Sequence, residues 1–344
     1  KNILTSQLSN LSIQLYNTIL RSGYVRNDDE YRKITQYFFE RLPKYDITEL
    51  NFREKLWIYK AHLWYSILVQ DFISSFKYSQ KWVELFHNNP KMIAQNPVFY
   101  LKGNQYLLES LYFLKYKTKF KATLKRLEEE VARDTFPKND NVKVLVFMCL
   151  HQHRLNFCFL DGIFDKGLEF VPQILKGLKE YSHQIDDHHV MVFYYKIACI
   201  YFGLGDFKNC IAYLKKIIEN KKLTMREDLM CFARVLSLVA HYEAGMDYHL
   251  DVQLRSTYKF LIKMNELQNV QREMIRFLRS LGSLYPSELK DAFKKLYKEF
   301  KKYENDPYEK RAFLYLDVLS WLESKINNEP ISESIRKKSI ELNR

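Results

Sequence analysis

The sequence VFYYKIACIYFGLGDFKNCIAYLKKIIEN, residues 192–220, contains two apolar segments separated by a short polar turn, Gly205-Asp206-Phe207. On both sides of the turn, apolar and small residues recur every three or four positions, which is the spacing of one face of an α-helix. The residues that mark the two faces are Tyr194, Ile197, Ala198 and Tyr201 before the turn and Cys210, Leu214 and Ile217 after it. Residues 192–220 therefore predict a pair of antiparallel helices joined by a tight turn.

The same arrangement recurs along the chain. Six further turns are predicted, each with an apolar or aromatic residue that aligns with Phe207. These turns are Glu30-Tyr31, Asp71-Phe72, Lys119-Phe120, Ile163-Phe164, Asp247-Tyr248 and Glu288-Leu289, and the second residue of each is the one aligned with Phe207. Their successive separations of 41, 48, 44, 43, 41 and 41 residues predict a repeat with a period near 43. Alternating strand patterns are hard to find, so the chain is predicted to be all-α, with about sixteen helices.

The hairpin at 192–220 resembles the tetratricopeptide repeat, which has an aromatic residue, a Leu-Gly-like pair and a Tyr on its first helix and Gly-Asp-Tyr at its turn. The resemblance implies a right-handed α-α superhelix, or solenoid, of about seven helical hairpins over residues 12–305, followed by C-terminal capping helices at 306–344, in one domain spanning 1–344. The period exceeds the family's usual length of about 34 residues. HEAT-like helical repeats therefore remain a structural alternative.

The composition agrees with a helical repeat protein. Average proteins of this length contain about 24 Gly and about 17 Pro, whereas this chain has 9 and 8. Turn-rich β folds and glycine-looped nucleotide folds are thereby disfavoured. The five cysteines, without a CxxC pair, predict reduced core residues in a cytoplasmic protein, and no apolar run is long enough to predict a membrane span. Helix starts are predicted at Asn96-Pro97, at Thr224 with Glu227, and at Asp306 with Pro307.

In the family that the chain resembles, the first helices of the hairpins line a concave groove that holds a peptide or a partner's helix. The equivalent positions predict a polypeptide-binding groove lined by Lys60, Trp64, Tyr112, Lys115, Gln152, Asn156, Tyr195 and Phe202. Amides are suited to binding an extended backbone and lysines to an acidic end. The alternative is that the aromatic residues among them are simply buried in the core.

No catalytic motif is found, since Gly203-x-Gly205 lacks a third glycine and follows a helix rather than a strand. The predicted function is therefore a non-enzymatic interaction scaffold without a cofactor.

Two rival classes stay open. The net charge of +13 favours acidic partners, and one basic run beside aromatic residues predicts either a nucleic-acid surface or a solvated helix face. That run consists of Lys115, Lys117, Lys119, Lys121, Lys125 and Arg126. A second set of residues suggests a metal-dependent enzyme, although no single helix supplies two ligands at the useful i, i+4 spacing. These residues are His151, His153, His183, His188 and His189, with Asp186 and Asp187 beside them and Cys149 and Cys158 nearby in the sequence. The simpler interpretation is a solvated loop in which one of the two aspartates caps a helix.

Overall fold

A computed structural model describes residues 2–220, 227–246, 250–264, 268–315 and 317–341. Within these ranges every regular element is a helix, eighteen in all, and no strand occurs. The all-α fold class is thus confirmed. The predicted cap at Thr224 and the predicted turn Asp247-Tyr248 lie outside the described residues.

The helices fall into two compact units, Lys1–His153 and Arg154–Arg344. The first unit contains α1 (Asn2–Ser22), α2 (Asp28–Arg41), α3 (Phe52–Leu68), α4 (Phe72–His87), α5 (Lys91–Gln95), α6 (Pro97–Phe113) and α7 (Lys117–Ala132), and the long helix α8 (Asp140–Asp161) begins in it. Successive helices pack on one another here, with α3 against both α1 and α4, and α6 against both α4 and α7.

The second unit contains the end of α8 and ten further helices. They are α9 (Phe164–Glu180), α10 (Asp187–Gly203), α11 (Phe207–Ile218), α12 (Glu227–Glu243), α13 (Leu250–Lys263), α14 (Asn269–Leu281), α15 (Pro286–Tyr303), α16 (Ala312–Tyr315), α17 (Val318–Asn327) and α18 (Ile331–Glu341). Again neighbours in sequence are neighbours in space, since α10 packs on α9 and α11, and α12 packs on α11 and α13. Asp186 caps α10 by accepting a hydrogen bond from the His189 backbone N–H, as the sequence predicted.

The same turn closes five of the hairpins. In each, one residue has a positive φ between 56° and 75°, and these residues are Gln70, Lys115, Gly162, Gly205 and Gly245. The next residue donates its backbone N–H to the carbonyl five positions earlier, for example Asp206 to Tyr201 at 2.9 Å and Asp71 to Ser66 at 2.9 Å. This bond satisfies a carbonyl that the end of the helix would otherwise leave unpaired. We refer to the positive-φ residue as the turn residue, and to the helices before and after it as the first and second helix.

These turns correct part of the predicted register. Phe72, Phe164 and Phe207 are the first residues of α4, α9 and α11, as predicted. Phe120 was wrong as a turn marker, because the turn residue is Lys115 and α7 already begins at Lys117. Phe120 is fully buried and lies three residues after the start of α7, which is about one helical turn.

The two other weak turn markers, Tyr31 and Leu289, show the same displacement. Helices α2 and α15 begin at Asp28 and Pro286, three residues before each marker. The sequence comparison thus aligned apolar side chains of one helical face rather than the turns themselves.

A glycine allows α4 and α6 to approach closely. A Cβ atom at Gly103 of α6 would lie 2.8 Å from Cδ1 of Trp82 on α4. The Trp82 side chain is fully buried, and its indole N–H donates a hydrogen bond to the Phe99 carbonyl at 3.1 Å. The indole is therefore fixed both by packing and by this bond, and Gly103 determines how closely α6 lies on α4.

His62 of α3 is a buried ionisable group of the first unit whose protonation differs between the folded and unfolded states. Its ring stacks on Tyr78 with centroids 4.4 Å apart, and its Nε2 lies 3.1 Å from the Tyr45 hydroxyl. Burial, with smaller effects from Lys77 and Lys81, lowers the pKa of His62 to about 4. His62 is consequently neutral in the folded protein at neutral pH.

The last two helices return to earlier parts of the second unit. Glu243, at the end of α12, accepts hydrogen bonds from Trp321 Nε1 at 2.6 Å and Lys325 Nζ at 3.0 Å, both on α17. From α18, the Ser339 hydroxyl donates to Asp161 at 2.9 Å. Helices α17 and α18 are thus joined to the ends of two first helices, α12 and α8.

The first prediction concerns Gly103. We expect Gly103→Ala to lower the free energy of unfolding by about 1–3 kcal/mol, because a methyl group there overlaps the indole of Trp82. Gly282→Ala is the matched control, since its φ of −65° suits alanine and no atom lies within 4 Å of its Cβ position. Urea denaturation of both variants measures the difference, and equal stabilities would contradict the close packing of α4 and α6.

The second prediction concerns pH. Because the folded-state pKa of His62 lies below the unfolded value of about 6.5, the unfolded state binds the proton first as the pH falls. Lowering the pH from 7 to 5 should therefore reduce the free energy of unfolding by about 2 kcal/mol through this one residue. His62→Phe should lose that share of the pH dependence, whereas the exposed His183→Gln should keep it. Identical pH profiles for His62→Phe and the parent would show that His62 is not responsible.

Candidate binding surface on the first helices

The predicted groove residues occupy equivalent places on successive first helices. Lys60, Gln152 and Tyr195 lie ten residues before the turn residues of their hairpins. Trp64 and Asn156 lie six residues before, and Tyr112 and Phe202 three before, whereas Lys115 is itself a turn residue. Positions three or four apart lie on one face of a helix. Each first helix therefore carries its predicted residues on a single face, although this face differs in exposure from one hairpin to the next.

Four of the eight predicted residues are buried. They are Trp64, Asn156, Tyr195 and Phe202, with exposed fractions of 8%, 2%, 4% and 3%. In the first unit, the Trp64 ring lies 4.7 Å from the Tyr16 ring on α1 and 5.3 Å from the Tyr106 ring on α6, measured between centroids. Trp64 of α3 is thus a buried side chain that packs against both α1 and α6.

Asn156 in the second unit is engaged with a lysine. Its side-chain oxygen accepts a hydrogen bond from Lys196 Nζ at 2.5 Å, between the end of α8 and the middle of α10. Tyr195 and Phe202, also on α10, belong to the buried core of this unit. Alanine variants at these positions would therefore test stability rather than binding.

The other four predicted residues reach solvent. Lys60, Tyr112 and Gln152 are half-buried, and Lys115 is exposed. Three of them, Lys60, Tyr112 and Lys115, belong to the first unit. The accessible part of the predicted surface in that unit is therefore formed by α3, α6 and the turn that follows α6.

Lys60 has an unusual environment. Its Nζ lies 4.4 Å from the centroid of Trp57 on the same helix and 5.7 Å from the centroid of Phe99 on α6. In the part of the chain that the structure describes, no carboxylate lies within ion-pair distance of Lys60 Nζ. The charge that acts on Lys60 belongs to another lysine, the exposed Lys102 of α6.

Electrostatics at Lys60 disfavours its charged form. Ring faces attract an ammonium group, but partial burial removes water from it, and Lys102 repels it. Burial is the larger cause, and together with Lys102 it lowers the pKa of Lys60 to about 8. Two lysines without a carboxylate between them leave a net positive site with aromatic walls, which suits an anionic group.

Positive charge is concentrated around this site. Residues 52–132, which span α3 to α7, contain 13 Lys and Arg and seven Asp and Glu, and so provide six of the thirteen net positive charges of the chain. Two of the seven acidic side chains are committed to helix starts, Glu54 in the capping box of α3 and Asp71 as the N-cap of α4. These two neighbouring hairpins therefore carry nearly half of the net charge in about a quarter of the chain.

Sequence reasoning found Lys60 but missed Trp57, Phe99 and Lys102. The local signal was available for Trp57, because it precedes Lys60 by three residues and shares its face. Phe99 and Lys102 are 39 and 42 residues away along the chain. Their approach depends on how closely α6 packs beside α3, which the sequence alone does not specify.

The histidines in each unit have mostly aromatic or local contacts. In the first unit, His153 is buried with its ring centroid 5.9 Å from that of Phe120, and the ring centroids of His151 and Phe147 are 4.9 Å apart. In the second, His189 Nδ1 lies 2.8 Å from the Asp186 carboxylate. Across the described ranges, no three His, Cys, Asp or Glu side chains form a group that could hold a metal ion.

The predicted basic run divides between a turn and a helix. Lys115 is the turn residue, and the rest lies on α7, where Lys119 Nζ is 5.2 Å from the Phe76 centroid and Lys125 forms an ion pair with Glu129 at 3.8 Å. The run is therefore partly paired with acidic and aromatic neighbours.

Comparison of the chain with protein-family models and with curated proteins finds no match. No helix of the described chain combines the length and apolar character that crossing a bilayer requires.

The third prediction concerns Lys60 itself. Observed by NMR through its side-chain resonances, Lys60 should titrate near pH 8, and Lys102→Gln should raise its pKa because the repelling charge is removed. Lys259→Gln, an exposed lysine of the second unit, is the control and should leave Lys60 unchanged. Titration of Lys60 above pH 10 would contradict the environment described for it.

Proposed function

We propose that this chain is a non-enzymatic interaction scaffold that binds an acidic polypeptide segment on the first-helix face of α3 and α6. The structural part of the proposal is a right-handed superhelix of about seven tetratricopeptide-like hairpins with C-terminal capping helices. The repeated left-handed turn in five hairpins supports it. In this proposal the buried members of the predicted groove, such as Trp64, support the surface from below, and Lys60, Tyr112 and Lys115 contact the partner.

The observation that carries the functional part is the environment of Lys60. A half-buried ammonium group without a carboxylate partner is an electrostatic cost to the free protein. An acidic side chain or chain terminus placed between Lys60 and Lys102 would offset that cost, and the aromatic walls would exclude water from the contact.

The same positive charge favours a second candidate, a single-stranded nucleic acid. Residues 52–132 have a net charge of +6, and lysines of α4 and α7 as well as of α3 lie over aromatic rings. We place this candidate second because Lys119 lies over the rings of Phe76 and Tyr116, where bases would have to stack.

The fourth prediction tests the proposal with a peptide array. Each peptide of the array is present in two versions, one with Glu and one with Gln at the same positions. The Glu-containing peptide that binds most tightly is then titrated with the protein in solution. Lys60→Gln should weaken its binding about tenfold, because one charge-assisted contact is lost. Lys259→Gln should bind like the parent, and thermal unfolding should show that both variants are folded.

Two results would overturn the proposal. One is equal binding of the Glu and Gln peptides by the parent protein. The other is an oligonucleotide that binds more tightly than any peptide, with an affinity that falls steeply with salt. The second result would favour the nucleic-acid candidate instead.

A further inference from the structure

The side chains around Lys60 have a second consequence, which concerns its chemistry as an amine. The nucleophilic form of a lysine is the neutral amine, and an ordinary exposed lysine is almost entirely charged near neutral pH. Lys60 differs from the other lysines of the first unit in combining partial burial, two aromatic walls and an unpaired lysine neighbour. Burial and the neighbouring Lys102 favour the neutral form and outweigh the attraction of the ring faces for the charged form.

We propose that Lys60 is a site of covalent acylation by acyl phosphates, and that this modification switches off the binding surface. Only the regulatory part of this inference, the loss of binding, rests on the proposed function. The acylation itself is a property of the unliganded protein.

The reaction needs no group beyond the two lysines and the acyl phosphate. The neutral Lys60 amine attacks the acyl carbon, a C–N bond forms, the bond from that carbon to the phosphate oxygen breaks, and inorganic phosphate leaves with the bonding electrons. The amine proton passes to water. Lys102, exposed and without an ion-pair partner among the described residues, is a positioning residue that attracts the phosphate group of the reagent.

The site also suits the product. Acylation replaces an ammonium group by a neutral amide, so the repulsion from Lys102 and the cost of partial burial are both removed. The acyl chain can lie against Trp57 and Phe99, whose rings already flank the nitrogen at 4.4 Å and 5.7 Å. The same modification removes the charge that would bind an acidic segment, which is why it acts as a switch.

The fifth prediction is measured with acetyl phosphate on the whole chain. Initial rates of acetylation at individual lysines are followed by mass spectrometry of peptides at pH 7.5. A lysine with a pKa near 8 is about one quarter neutral at that pH, against about one part in a thousand for an ordinary lysine, although its lower basicity makes it a weaker nucleophile. We expect Lys60 to react about tenfold faster than Lys259.

The pH profile and two variants separate this proposal from simple surface reactivity. The Lys60 rate should level off above about pH 8.5, because its amine is then mostly neutral. Lys102→Gln should slow Lys60 several-fold, and Lys102→Arg should restore the rate. A Lys60 rate equal to or below that of Lys259, or a profile without the early plateau, would overturn the acylation proposal.

Acidic peptide binding is measured separately on the unmodified protein, so the two proposals can fail independently. Protein acetylated at Lys60 should bind the acidic peptide about as weakly as Lys60→Gln does. Rapid acetylation with unchanged peptide binding would overturn the switch. Slow acetylation with tight peptide binding would overturn only the acylation step and leave the binding proposal standing.

Discussion

Five hairpins of this protein depend on one hydrogen bond at the turn. After the left-handed residue, the chain returns an N–H to a carbonyl of the helix that has just ended, as Asp206 does to Tyr201. This bond terminates the first helix and directs the second one back along it. Each pair then has an apolar face that it cannot bury alone, and neighbouring pairs must pack on it. The order of contacts along the chain, α3 with α4 and α4 with α6, follows from this requirement.

A consequence of this arrangement is that the first helices differ in exposure although their positions are equivalent. Positions that bury Tyr195 and Phe202 in one hairpin leave Gln152 and Tyr112 accessible in another. Charge differs in the same way, because two hairpins hold nearly half of the positive excess. A repeated backbone can thus present one distinct chemical site, here the two lysines and two aromatic rings at the boundary of α3 and α6.

The helical class and three of the turn positions could be predicted from the sequence, because they depend on local spacing and on residues such as Phe207 with Gly205. The predicted turn at Phe120 failed for a physical reason. Lys115 adopts a left-handed conformation that favours glycine. Because the residue there is a lysine, the residue type does not indicate a turn, and the sequence pattern indicates the turn at the apolar Phe120 instead. The site could be predicted only in part. Lys60 and Tyr112 follow from helical periodicity, whereas Phe99 and Lys102 depend on how closely α6 packs beside α3.

The return of α17 and α18 gives the second unit a property that a simple stack of hairpins lacks. Contacts between successive hairpins can form as soon as both have been synthesised, but Ser339 and Asp161 are separated by 178 positions and Lys325 and Glu243 by 82. Such long-range contacts slow folding, because a large loop must be closed before they contribute any stability. On a ribosome, α8 and α12 would emerge well before the helices that join their ends. The second unit can therefore be completed only after α17 and α18 have been synthesised.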